Sequence, residues 1–258
     1  MIGGVRAGQL LSRFGDPQGG YEAGTAGWRE ILSDSVVEYM DRQKKSGNLE
    51  EEYHSLGEKQ IGLVLQEEEG FPQKLLEIPD PPYGLFYKGK LPEQKQPSVA
   101  VIGARECSEY GRFVAEELGR YLGSQGIQVI SGMARGIDGI SQQAALLAGG
   151  TSYGVLGCGV DICYPRQNRK LYEELIQKGG LLSTYAPGTK ALPAYFPLFR
   201  FYGTQQNSAK LQRCSDCCSF MMLHQSIFRR ASRTLLAQIS RSFLVIRPFS
   251  SASIRRSV

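Results

Sequence analysis

Histidine is nearly absent: His54 and His224 are the only two in 258 residues. Neither His sits near the cysteines of the glycine-rich segments, so a Cys–His nucleophile is not expected. Cys107, Cys158 and Cys163 read as structural. The six Cys form no pair of Cys-x-x-Cys motifs at zinc spacing and no secreted disulfide pattern. No metal and no cofactor is therefore expected. The opening Met1-Ile2-Gly3-Gly4-Val5-Arg6 lacks the apolar core of a signal peptide. The longest uncharged stretch, Gly139 to Val160, contains six Gly and reads as two short elements rather than a membrane span. These absences predict a cytoplasmic protein with no membrane contact. A Walker phosphate loop is missing, as is the Gly-x-Gly-x-x-Gly turn of dinucleotide folds, so neither ATP nor NAD is supported.

Charge is present but unevenly placed. Of thirty Lys and Arg, ten lie after residue 197, where Asp216 is the single acid. That stretch holds no Glu and no Gly after Gly203. The composition reads as an out-of-frame translation beginning near codon 198, in preference to a basic interaction tail.

The chain before that point divides into three. Residues 1–68 predict a small helical domain of the SAM or helix-hairpin-helix kind. Leu10, Leu11 and Phe14 share a face ahead of Gly15, and Trp28 to Gln43 places Trp28, Ile31, Leu32, Val36, Tyr39 and Met40 at helical spacing. Residues 69–97 combine acids, Pro and Gly and read as a linker with one short strand, Leu85-Phe86-Tyr87. Residues 98–197 are regular. Val99–Ile102, Ile127–Ile130 and Thr151–Leu156 are short apolar runs, each followed by a glycine-containing loop and a helical stretch, and Leu181–Thr184 is a fourth run. Three strand–loop–helix cycles predict an α/β fold, a Rossmann-like doubly wound parallel sheet preceded by the helical domain.

Right-handed crossovers bring all three loops to the carboxyl edge of such a sheet. Arg105 lies in the first loop, Arg135 in the second, and Arg166, Arg169 and Lys170 follow the third. Cations beside helix N-termini oppose the helix dipole, so their placement points to an external polyanion at this edge. Carboxylates are sparse there: Asp138 and Asp161 read as loop-ordering caps rather than bases. A binder is expected, with no catalytic residues.

Several motifs in this order resemble one family. They are Tyr83-Gly84-Leu85-Phe86-Tyr87-Lys88-Gly89, Val101-Ile102-Gly103-Ala104-Arg105 and Ser131-Gly132-Met133-Ala134-Arg135-Gly136-Ile137-Asp138. Gly157-Cys158-Gly159-Val160-Asp161 through Tyr164-Pro165 and Asn168 follows, and Phe196-Pro197 closes the set. The chain resembles the DNA-processing protein A (DprA, or Smf) family of bacteria over residues 70–197. The resemblance implies a non-enzymatic single-stranded DNA-binding protein that protects incoming strands in natural transformation and assists loading of the recombinase RecA. Carried onto this sequence, phosphates would be held by Gly103 and Arg105, by Ser131, Gly132, Arg135 and Gly136, by Gly157 and Gly159, and by Asn168, Arg169 and Lys170. The family's homodimer is built largely from strands that should follow Phe196-Pro197. Those strands are not recognisable in residues 198–258, so a dimer is not supported by this sequence. Nor is a His seen where the family carries one, in the stretch Gly139-Ile140-Ser141-Gln142-Gln143. The rival reading is a nucleotide-processing phosphoribohydrolase on a Rossmann-like fold, but its Pro-Gly-Gly-x-Gly-Thr loop is missing.

Overall fold

The computed structural model describes residues 4–78 and 81–192, together with two short strands later in the chain. The Phe196-Pro197 motif and, those two strands apart, the region after residue 192 lie outside the described residues.

Four helices open the chain: α1 (Gly4–Phe14), α2 (Pro17–Glu22), α3 (Gly24–Arg29) and α4 (Asp34–Ser46). They close around Trp28, which is 1% exposed and packs with Leu10, Leu32 and Val37. The indole N–H donates to the Gly20 carbonyl at 2.7 Å, which satisfies the ring's only polar group inside this small core. The single helix expected from Trp28 to Gln43 is interrupted. The chain leaves α3 at Glu30 and restarts after Ser33, which has extended backbone at the start of α4. A fifth helix, α5 (Leu49–Glu58), leads toward the sheet, with Leu56 and Ile61 joining the sheet's core.

The strands are β1 (Gly62–Leu65), β2 (Gly84–Gly89), β3 (Ser98–Ile102), β4 (Gln128–Ser131), β5 (Ser152–Val155) and β6 (Gly180–Ser183). Two-residue strands β7 (Phe220–Met221) and β8 (Leu244–Val245) add to the far edge. The order is β1-β2-β6-β5-β4-β3-β7-β8. Strands β3 to β6 are parallel, whereas β1 and β2 run antiparallel at the β6 edge. The α/β, Rossmann-like architecture is thus as the sequence predicts, and the sheet is mixed. One boundary moves: β1 falls inside the stretch assigned to the helical domain. The short strand expected in the linker is β2, and both pair into the sheet beside a cluster of Val64, Phe71 and Leu85.

The helices α6 (Glu109–Ser124), α7 (Ile137–Leu147) and α8 (Arg169–Lys178) connect β3 to β4, β4 to β5 and β5 to β6. Each crossover steps one strand in the same direction, so right-handedness puts all three helices on one face. α6 starts on a Ser108 cap, whose hydroxyl accepts from the Gly111 amide at 3.2 Å. Its apolar stripe of Ala115, Leu118 and Leu122 packs on Val99, Val101 and Val129. Gly119 and Gly123 lie directly against the α7 backbone at Ser141 and Ala145, leaving no room for a side chain. α6 and α7 are therefore in close contact, and α7 is the middle helix of the layer.

Candidate nucleic-acid interface

The carboxyl ends of β3 and β4 are joined by a buried acid. Asp138, in the first turn of α7, is 4% exposed. One carboxylate oxygen accepts the Gly103 amide at 3.1 Å and the other accepts the Gly132 amide at 3.2 Å. Burial pushes this carboxyl above its ordinary pKa, against the hydrogen bonds it receives and the charge of Arg105. The Ser131 hydroxyl is also turned inward and donates to the Val101 carbonyl at 2.6 Å. Gly103, Ser131 and Gly132 were assigned to phosphate from the sequence. Their donors are engaged inside the protein, where these bonds hold the two strand ends together. The cap reading of Asp138 changes in the same way: it ties neighbouring strands rather than its own helix.

Gly136 completes this junction. Its φ of +76° lies in the region that favours glycine, and the Ala104 and Arg105 carbonyls crowd the place of a Cβ. The Ile137 amide donates to the Ala104 carbonyl at 3.2 Å, so the first and second loops share one backbone seam. Arg105 and Arg135 project from either side of it into a groove.

The third loop is built differently. Gly157 and Gly159 are buried beneath the surface, and the Gly159 amide donates to the Thr189 carbonyl at 2.9 Å. Asp161 accepts the Gly188 amide through both carboxylate oxygens, at 2.9 and 3.0 Å. The Cys158 thiol is pushed up to about 11, by burial first and then by Asp161 and Cys163, and it stays protonated. Gly159 thus packs against residues 186–189, and neither Gly157 nor Gly159 lines the groove. A cis Tyr164–Pro165 bond leads into a 3-10 turn, Arg166–Asn168. The Asn168 side-chain amide donates to the Met133 and Ala134 carbonyls at 2.8 and 3.0 Å, fastening this turn to the second loop.

The groove encloses about 760 Å³. It brings together Arg105, Arg135, Gly136, Asn168 and Lys170 from the sequence assignment. Arg169 points elsewhere: it pairs with Glu173 at 2.7 Å and lies 5.9 Å from the Tyr172 ring centroid. Two cations were missed, Arg112 and Arg120, both on α6 and both lining the groove. Their eight-residue spacing on the helix face opposite Leu118 and Leu122 carried the signal, but that signal is shared by any solvated helix face. Glu106 and Glu116 are the two acids of the lining, against five cations. Gln142, in the stretch where the family carries a His, is fully buried and bonds the Met133 amide, Ser152 and the Tyr153 carbonyl. Among the described residues there is no cluster of metal-ligating side chains, and no helix long and apolar enough to cross a membrane.

A sheet wound in this sense, with a cationic groove beside its strand ends, defines a Rossmann-like protein with a cationic edge. The profile of the DNA recombination-mediator protein A family matches residues 62–199, more than half of the chain, and the chain belongs to that family. It is 40% identical over 127 residues to the DNA processing protein DprA of Streptococcus pneumoniae, covering 49% of this chain and 45% of that protein. It is 36% identical over 125 residues to protein Smf of Escherichia coli, covering 48% of this chain and 33% of that protein. The chain therefore spans less than half the length of these curated relatives. The X-ray structure of the Streptococcus pneumoniae DprA matches with a TM-score of 0.61 and 29% identity, over 74% of this chain and 66% of that one.

Proposed function

We propose that this chain binds single-stranded DNA through the sugar-phosphate backbone, as a binder and not as an enzyme. It serves DNA processing during natural transformation by protecting the strand and assisting RecA loading. The observation that carries this reading is the convergence of five cations, from two strand-end loops and two helices, on one groove. α7 and α8 both start beside that groove without a side-chain cap, and α8 presents Lys170 to the groove from its first turn. That placement opposes the helix dipole and is compensated when an anion occupies the groove. Membership of a family described as a recombination mediator supports the RecA step. Gly103, Ser131, Gly132 and Asn168 act in this reading by fixing the loops, and Arg105, Arg135 and Lys170 by meeting phosphates.

Anisotropy of labelled oligo-dT, titrated with the purified chain at several salt concentrations, tests it. Binding should weaken steeply with salt, with a log–log slope of about 0.7 per phosphate contact. Tight, salt-independent binding or none by the folded chain would refute it. Release of ribose 5-phosphate from AMP would favour the phosphoribohydrolase instead.

A further inference from the structure

The cationic groove does not stop at the strand ends. Its floor is the outer face of α7, where Gly139, Ile140, Gln143, Ala144 and Leu147 lie along one side. All are uncharged, and Leu147 is 73% exposed. One wall is α6, with Arg112, Glu116 and Arg120 one helical turn apart. The other wall is the start of α8, with Lys170 and Leu171. Arg112 forms no ion pair among the described residues, whereas Arg120 is held against Glu116 at 2.8 Å and Glu117 at 3.4 Å. A floor that is apolar except for Gln143, whose amide donates to Glu174 at 2.7 Å, between charged walls suits a ligand with flat apolar faces and anions along its sides.

We infer that a single strand leaving the strand-end cluster continues down the α7 surface, with bases against Leu147 and its small neighbours and phosphates on Arg112 and Arg120. This rests on the reading that the strand-end groove holds single-stranded DNA. From Gly136 to Ala148 the helix rises about 18 Å, which takes roughly five nucleotides at stacked spacing. Uncharged surface accepts any base, since every base has a π-face, so this segment adds affinity without sequence preference. Duplex DNA, with its bases paired inward, gains nothing from the floor. An acidic amphipathic helix of a protein would also match the charges, but a Gly- and Ala-rich floor offers it few pockets for side chains, and the groove is continuous with the phosphate cluster.

The test compares an oligo-dT of about five nucleotides with one about twice as long. The parent should bind the longer one more tightly. The double variant Arg112→Ala/Arg120→Ala should lose several-fold affinity for the longer oligomer, with its salt slope reduced by about 1.4, and lose much less for the shorter. In a second variant, Leu147→Trp, emission should be quenched by the longer oligomer. Trp28 is the only native Trp and is buried among the N-terminal helices, so it supplies a constant background. Equal binding of both oligomers by the parent overturns the extension and leaves the strand-end site standing. Binding of neither by the folded parent overturns both. A double variant that matches the parent on the longer oligomer, or Leu147→Trp emission that responds to an acidic helical peptide and not to oligo-dT, also overturns the extension.

Discussion

The first two strand-end loops and the third have similar composition: glycines, a neighbouring acid and a following helix. They are fastened in opposite senses. In the first pair the acid, Asp138, is buried and draws the Gly103 and Gly132 amides inward, which leaves the Arg105 and Arg135 side chains as the surface of the groove. In the third the acid, Asp161, reaches sideways to Gly188, and the loop glycines are covered. The difference teaches that glycine in a strand-end loop marks close backbone approach, and that approach can serve the protein's own carboxylate as well as a phosphate. Here side-chain cations, not backbone amides, form the surface of the groove.

Removing the two acids should break the comparison most sharply. Asp138→Ala strips two partly buried amides of their acceptor, and each unsatisfied group costs about 1–3 kcal/mol. We expect a loss of about 3 kcal/mol in urea unfolding, with oligo-dT affinity falling at the same time because the arginines lose their register. Asp161→Ala removes an acceptor from an exposed amide, so about 1 kcal/mol is expected, with oligo-dT affinity unchanged. Equal effects from the two substitutions would show that the third loop is coupled to the groove as closely as the first two.

The next effect concerns binding alone. Arg105→Ala and Arg135→Ala should each weaken oligo-dT binding and reduce the salt slope by about 0.7, with urea unfolding little changed. A residue whose removal leaves the isotherm and its slope intact does not meet a phosphate.

How much of this was legible in the sequence differs by level. The three βα cycles were read nearly to the residue, because short apolar runs between glycine loops have few other interpretations. For example, the apolar run Val99–Ile102 is β3, Ser98–Ile102. The first helical region was harder. Trp28 to Gln43 keeps its 3.6-residue spacing across a real break, because Ile31 and Leu32 still face the Trp28 core from the linker at Glu30–Ser33. β1 was absorbed into that region, since Gly62-Leu63-Val64-Leu65 is too short to show a period. In the site, the arginines were found by their loops, but the acceptor of each glycine amide was not readable. Gly103 and Asp138 are 35 residues apart, and nothing local in the sequence pairs them. Arg112 and Arg120 were overlooked because helix surfaces carry such charges whether or not a groove runs beside them.

The third loop also predicts a pH dependence, in the alkaline range. Cys158 has its folded-state pKa raised to about 11 from the 9.0 of an exposed thiol. A group raised on folding contributes stability that is complete below its unfolded value and is lost as pH rises through the folded one. Stability should therefore decline between pH 9 and 11 through this thiol. Thermal melts across that range should show a shallower decline for Cys158→Ala than for the parent, and oligo-dT affinity at neutral pH should be the same for both.

The smallest expected effect separates two adjacent cations. Arg169 and Lys170 open the same helix, and from the sequence both were assigned to phosphate. α8 turns about 100° between them. Arg169 consequently lies against Glu173 and Tyr172, while Lys170 lines the groove with only a long 3.9 Å contact to Glu174. Lys170→Ala should reduce the salt slope of oligo-dT binding by about 0.7, and Arg169→Ala should leave it unchanged. If the two variants behave alike, the ligand wraps beyond the groove onto the outer face of α8. The side-chain direction at the start of that helix would then not be what selects the phosphate contacts.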